Sequence, residues 1–224
     1  MQVPISCARL RVVSAREGLR ERKRSASIRR IQEAALDLFD QRGFESVTIE
    51  EIAEAAEVSP SSVYRYFGTK EGLVLYDEFD FRLIDAVAEE LASHPPVEAV
   101  RRALSSVMAA FFGRDEELAR RKIGYALEEP HLRAAMTQQV DQFSQLVADV
   151  LAGAANRKSD ELEIQVIAST LVWALTAAAR RWYAEGYVRP LPALLEEALA
   201  VVERGLRLDQ STASKGRHSS GGMR

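Results

Sequence analysis

The residues best placed to do chemistry fall in one short stretch. Thr48 and Glu51 stand three apart, directly before an apolar run. At that spacing a threonine hydroxyl and a glutamate carboxylate each satisfy a free backbone amide at a helix start. Ser59 and Pro60 repeat the signal with a serine able to cap and a proline at the first helical position, where a missing N–H costs nothing. Gly68 closes that second segment and Thr69 opens the next. Two short helices, 49–56 and 60–67, joined by a tight turn, have the proportions of a helix-turn-helix, whose second helix enters the major groove of DNA. Ala53 is the small residue at the helix crossing, and Ile52, Val58, Val63 and Phe67 bridge the pair. Glu57, at the turn, needs a left-handed backbone, which costs a residue with a Cβ about 1 kcal/mol.

Catalytic and metal chemistry find no such constellation. His94, His131 and His218 are the three histidines, none at ligand spacing with another. The patterns His-Glu-x-x-His, Gly-x-x-x-x-Gly-Lys and Gly-x-Ser-x-Gly do not occur. The expectation is a protein that is not an enzyme and uses no metal and no cofactor. Cys7, the single cysteine, has no partner in the chain, which excludes a disulfide framework and points to a reducing, cytoplasmic compartment. The longest apolar run, 164–179, is interrupted by Gln165, Ser169, Thr170 and Thr176, so neither a membrane span nor a membrane partner is expected. A secretory leader is also not expected, because 19–30 is mostly charged.

The formal net charge of −3 over 224 residues conceals an asymmetry. Residues 1–30 carry nine basic and two acidic side chains, whereas 31–70 carry three and eight, and 71–208 carry fifteen and twenty-two. A basic front on an acidic body suits contact with a polyanion at one end only. Arg20, Arg22, Lys23, Arg24, Arg29, Arg30 and Arg42 are the cations available for it.

Period-2 alternation is almost absent and Ala, Leu, Glu and Arg dominate, so the fold class expected is all-α. Punctuation places helices at 27–41, 49–56, 60–67, 69–93, 97–112, 115–128, 130–153, 160–186 and 191–208. The domain reading is a disordered basic arm (1–24), a helix-turn-helix domain (25–72), a helical ligand-binding and dimerisation domain (73–208) and a disordered Ser/Gly-rich tail (209–224). Met108, Phe111, Phe112, Tyr125, Phe143 and Trp173 form a large apolar group on the middle helices, the candidates to line a pocket for an apolar ligand. The rows Ile164, Ile167, Leu171, Leu175 and Leu194, Leu195, Leu199, Val202 suit a four-helix contact with a second copy.

From Ile28 to Leu73 the chain resembles the DNA-binding domain of the tetracycline-repressor (TetR) family. The resemblance rests on Gly43-Phe44, on Thr48-Ile49-Glu50-Glu51-Ile52-Ala53, and on Val63-Tyr64-Arg65-Tyr66-Phe67-Gly68-Thr69-Lys70-Glu71-Gly72-Leu73. It implies a homodimer that binds double-stranded DNA through this domain and a small-molecule effector through a divergent helical one. It implies further that Ser61, Ser62 and Tyr64 face the groove, that Arg65 and Tyr66 reach backbone or bases, and that Lys70 contacts phosphate. Thr48 and Ser59 then stand at helix starts whose amides favour phosphate. Residues 119–134 and Trp182-Tyr183 with Gly186 are similar to the C-terminal domain of regulators associated with acyl-CoA-like effectors. That similarity implies an anionic headgroup near Arg120, Arg121, Lys122 or Arg133. The function expected is a ligand-responsive repressor on a palindromic operator. The alternative is a helical small-molecule-binding protein whose helix-turn-helix is non-functional.

Overall fold

The computed structural model describes residues 18–205, except for the side chains of Leu19, Glu21 and 110–114. Among the described residues every regular element is a helix. The order is α1 (Leu19–Arg42), α2 (Ile49–Ala55), α3 (Pro60–Phe67), α4 (Lys70–Leu75), α5 (Glu78–Glu90), α6 (Pro96–Glu128), α7 (Pro130–Ala155), α8 (Leu162–Ala184) and α9 (Leu191–Glu203). The fold is all-α, with a helical head (α1–α4) and a helical body (α5–α9).

Three boundaries differ from expectation. The last residues of the expected arm are the first turns of α1, since 19–24 are good helix formers and Arg24 is anchored to Glu78 and to the Tyr76 hydroxyl. The rest of that arm and the tail beyond 205 lie outside the described residues. The expected helix over 69–93 breaks at Tyr76 and Asp77, both extended, where Asp77 Oδ1 accepts from the Phe79 amide and starts α5 afresh. The expected stop at Gly113 is absent, and α6 runs unbroken for 33 residues. One glycine inside a helix costs about 1 kcal/mol, which the packing of so long an element offsets.

The head closes around Ile31, Leu36, Phe39, Phe44, Val47, Ile52, Val63 and Leu73, joined by Ala126 and Leu132 from the body. In the body, Leu83, Val100, Leu104, Met108, Leu171, Trp182, Leu194 and Leu199 form one core, and Ile84, Val147, Leu151, Ile164 and Val172 another. By length and composition α8 is apolar enough to cross a membrane, at mean hydropathy 1.5. Its inner side nevertheless belongs to these cores, while Leu162 and Val166 stay exposed outside.

A polar seam joins head to body. Arg121 pairs with Asp37 at 2.9 Å and Asp40 at 2.6 Å, and the Tyr125 hydroxyl donates to Asp40 at 2.6 Å. Buried Lys122 donates to the Tyr76 carbonyl at 2.7 Å and to Asp77 at 2.8 Å. Gln32 and Gln139 donate to the neighbouring carbonyls of Leu73, Tyr76 and Leu75. The elbow between α4 and α5 therefore leaves few carbonyls unsatisfied, which is why the chain can stop being helical there. Asp80, at the same elbow, has its carboxyl pushed up to about 7, by burial first and the Asp77 charge second, with Lys122 pulling the other way.

Candidate nucleic-acid interface and effector cavity

The α2–α3 unit is built by local bonds. Thr48 Oγ1 accepts from the Glu51 amide at 3.2 Å while Glu51 accepts from the Thr48 amide at 2.8 Å. Glu57 takes φ +52°, and the turn closes with the Val58 amide on the Ala53 carbonyl at 2.9 Å. Ser59 caps α3 by accepting from the Ser62 amide, and its Oγ lies 2.9 Å from Oγ of both Ser61 and Ser62. Val63 and Phe67 turn into the core. The opposite side of α3 is open to solvent, with Ser61, Tyr64 and Arg65 exposed and Ser62 and Tyr66 half-buried. Tyr64 is 49% exposed, a large aromatic with no packing role to account for it. The Arg65 guanidinium lies 4.9 Å from the Tyr66 ring centroid and reaches Ser62 Oγ.

Two expected phosphate contacts have other work. Lys70 Nζ donates to the carbonyls of Phe44 (2.8 Å), Glu45 (3.3 Å) and Val47 (3.2 Å), so its three protons are engaged in holding the α1–α2 loop. At Thr48 the helix start is covered by the Glu51 carboxylate, which the Thr48 amide and Arg42 hold below its ordinary range. A second anion there meets a charge of its own sign. Gly72 is a positioning residue that sequence reading missed, because a Cβ there would fall 2.1 Å from the Phe67 carbonyl oxygen. Its only sequence signal is a glycine inside an otherwise helix-forming Lys-Glu-Gly-Leu run.

Cations of α1 divide in the same way. Arg24 and Arg29 pair with carboxylates (Glu78, and Glu33 with Asp115). Arg20, Arg22, Lys23 and Arg30 are exposed and carry no ion pair among the described residues.

The effector candidates are not brought together. Phe143 lines an apolar void of about 30 Å³ with Leu83, Ile84, Val147, Leu171 and Leu175. Trp173 lies under the Arg180 guanidinium, 5.6 Å from its ring centroid. Met108 is core, and Tyr125 faces the head against Phe39 rather than any cavity. The side chains of Phe111 and Phe112 lie outside the described residues. Arg120 pairs with Glu116, and Arg121 and Lys122 serve the seam, which removes three of the four headgroup candidates. The fourth, Arg133, lines a cleft of about 450 Å³ with Leu127, Met136, Thr137, Arg180 and Tyr183. Arg180 was not singled out by the sequence, whose only signal is the Arg-Arg pair before Trp182.

Comparison with known proteins bears on both halves. Residues 31–76 match the model of bacterial regulatory proteins of the tetR family, and residues 94–207 match that of the MftR C-terminal domain. The regulator TcmR of Streptomyces glaucescens is 32% identical over 148 residues, a match covering 65% of this chain and 59% of that protein. MftR of Mycobacterium tuberculosis, described as a putative mycofactocin biosynthesis transcriptional regulator, is 27% identical over 195 residues, covering 84% of this chain and 96% of that one. Among solved structures, the fatty acid degradation regulator FadR from Bacillus halodurans superposes with a TM-score of 0.52 at 19% identity, covering 80% of this chain and 99% of that one.

Proposed function

The chain belongs to the TetR family of transcriptional regulators, with a DNA-binding head and a ligand-binding body, and from that premise we propose that it binds a palindromic operator as a homodimer and acts as a repressor released by a small effector. The observation that carries this reading is the open face of α3, with Ser61, Tyr64 and Arg65 exposed on a helix whose other side is locked into the head core. Hydroxyls and an arginine on such a face can bond base edges and phosphates, and a tyrosine ring can touch a thymine methyl. The first turn of α3 carries no acid, and the Ser61 amide is not taken by the Ser59 cap, so this end of the helix favours an approaching phosphate. Arg20, Arg22, Lys23 and Arg30 supply further phosphate contacts, in the cytoplasm where bacterial DNA lies.

A single eight-residue helix reads few bases. Two copies reading half-sites about 34–36 Å apart give the specificity one lacks. The exposed Leu162 and Val166 on α8 suit burial against a second copy. An effector with an apolar or acyl part would have to open the apolar void around Phe143, which has room for only about 30 Å³. Such an effector releases DNA if it prefers a head setting that the operator does not.

The test is a fluorescence anisotropy titration against the chain's own upstream DNA at two salt concentrations. Tyr64→Ala weakens the preferred site most, and weakens competitor DNA little. Lys70→Ala lowers thermal stability along with all DNA binding, because it frees the α1–α2 loop. A parent protein with no sequence preference would favour the alternative, a small-molecule-binding protein that keeps the helix-turn-helix as scaffold.

A further inference from the structure

The end of α6, 118–128, is packed on two sides by different parts of the molecule. Leu118, Tyr125 and Ala126 join the head core, Arg121 pairs with Asp37 and Asp40, and Lys122 holds the elbow. On the other side Ala119 and Ile123 pack into the body core, while Arg120, Gly124 and Glu128 meet the corner where α8 turns into α9. Each set follows the three- and four-residue steps of one helix face. A tilt of this stretch therefore moves the head relative to α8 and α9.

That corner is strained. Gly186 and Tyr187 both take left-handed backbone, at φ +62° and +63°. For glycine this costs little, whereas an aromatic residue there is a steric outlier. Such a residue persists only where its surroundings over-determine it. The Tyr187 amide donates to the Trp182 carbonyl at 2.9 Å. Its ring stands edge-on to Trp182 and Tyr183, at 4.9 and 6.1 Å between centroids, and the Arg120 guanidinium lies 5.4 Å from its own centroid. The hydroxyl crosses to α6 and donates to the Arg120 carbonyl at 2.9 Å, beside Gly124, whose missing Cβ would stand 3.5 Å from it. A bond to a backbone carbonyl holds the helix itself. The neighbouring bond, from the Tyr183 hydroxyl to Glu128 at 2.7 Å, ends on an exposed, flexible side chain and does not.

We propose that Tyr187 is a positioning residue for operator binding: its hydroxyl, held out by the strained turn, pins α6 to the α8–α9 corner and so sets how far apart a dimer holds its two reading helices. This rests on the regulator reading, in which α8 meets a second copy, and adds to it what fixes the half-site spacing. Arg120 and Arg121 are adjacent, so the pin and the head contact act on one turn of helix. A dimer joined through α8 matches half-sites one turn of DNA apart only while that stretch keeps one tilt.

Fluorescence anisotropy of the full chain and its Tyr187→Phe variant tests it, on the chain's own upstream DNA and on the same DNA with one base pair inserted or removed between half-sites. Each change turns one half-site by about 35° against the other. The parent should bind the altered DNA about tenfold or more weakly, the scale of a mismatched base pair. Tyr187→Phe, which keeps the ring and loses the pin, should lose most of that difference. Tyr183→Phe should keep it, and so should Leu151→Ala, which cuts a buried side chain from the other body core. Hydrogen exchange without DNA reads the pin directly. In Tyr187→Phe it should quicken in the α8–α9 turn and also at Tyr76 and Phe79, whose amides close the elbow. A Tyr187→Phe protein with the parent's spacing profile, quickening confined to the turn, or an equal loss in either control overturns the proposal. A parent blind to both spacing and sequence counts against the regulator reading instead, and the exchange result still decides the pin.

Discussion

In the head, α2, α3 and α4 each begin on a hydroxyl that accepts from a backbone amide three residues on: Thr48, Ser59 and Thr69. In the body, α6, α7, α8 and α9 begin without any side-chain cap. The difference tracks length, since α2, α3 and α4 have six to eight residues and the uncapped helices 13 to 33, with α5, capped by Asp77 at 13 residues, standing between the two groups. A helix of two turns has half or more of its amides unpaired at the ends and cannot persist on propensity, whereas a long one is stabilised by the face it buries. A head ordered by short-range bonds keeps α3 in one shape. The body is ordered chiefly by packing around a nearly closed apolar seam, with exposed bonds such as Gln165–Gln145 and Tyr183–Glu128 between its helices. That division suits a molecule whose reading surface must stay rigid while its body answers a ligand.

Glycine substitution tests the contrast most harshly. Gly72→Ala drives a methyl into the Phe67 carbonyl, backbone that cannot move without unseating α3, and should cost about 3 kcal/mol and abolish operator binding. Gly153→Ala in α7 meets nothing within 4 Å and should stabilise by about 0.5 to 1 kcal/mol. Denaturant melts of the two variants decide it, and equal effects would erase the distinction. Next comes the seam. Lys122→Met removes a buried ammonium from Asp77 and the Tyr76 carbonyl and should cost about 2 kcal/mol. Operator affinity should fall while the circular dichroism of the folded protein stays the same. A smaller effect is expected at the cap of α3, where Ser59→Ala should cost about 1 kcal/mol. Hydrogen exchange then accelerates at the amides of α3 and not in α8; exchange that rises equally in both would count against a locally ordered head.

A further test is a pH dependence at the elbow. The Asp80 carboxyl titrates near 7 in the folded state and near its ordinary 3.8 when unfolded. The unfolded form thus releases its proton first as pH rises. The favourable contribution of protonated Asp80 is complete below about 4, declines from there to 7, and is lost above. Asp80→Asn should melt higher than the parent at pH 8, with the gap closing toward pH 5. A gap that is constant with pH would show that Asp80 does not titrate in this range.

The caps of the head were legible because each is a pattern of two or three adjacent residues, and the strained Glu57 was legible for the same reason. Less accessible was the use of each cation. Lys70 serves a loop 23 to 26 residues away, Lys122 an elbow 45 to 46 residues away, and Arg121 a helix 81 to 84 residues away. No spacing rule reaches that far. The effector cavity was least legible of all, since apolar residues that line a void and those that fill a core share one periodicity, and Met108, Phe143, Trp173 and Tyr125 went to four different surroundings.

By itself the sequence determined the helical class, the starts of the short helices and the apolar side of α3, because capping and amphipathicity act within a turn or two of the residues that cause them. The tertiary structure alone decided that α4 stops at Tyr76, that α6 does not stop at Gly113, and that the Tyr187 hydroxyl reaches the Arg120 carbonyl. Whether a carbonyl can leave a helix, or a hydroxyl finds an acceptor, depends on which distant groups folding brings within about 3 Å, and that is a property of the packed chain rather than of any segment.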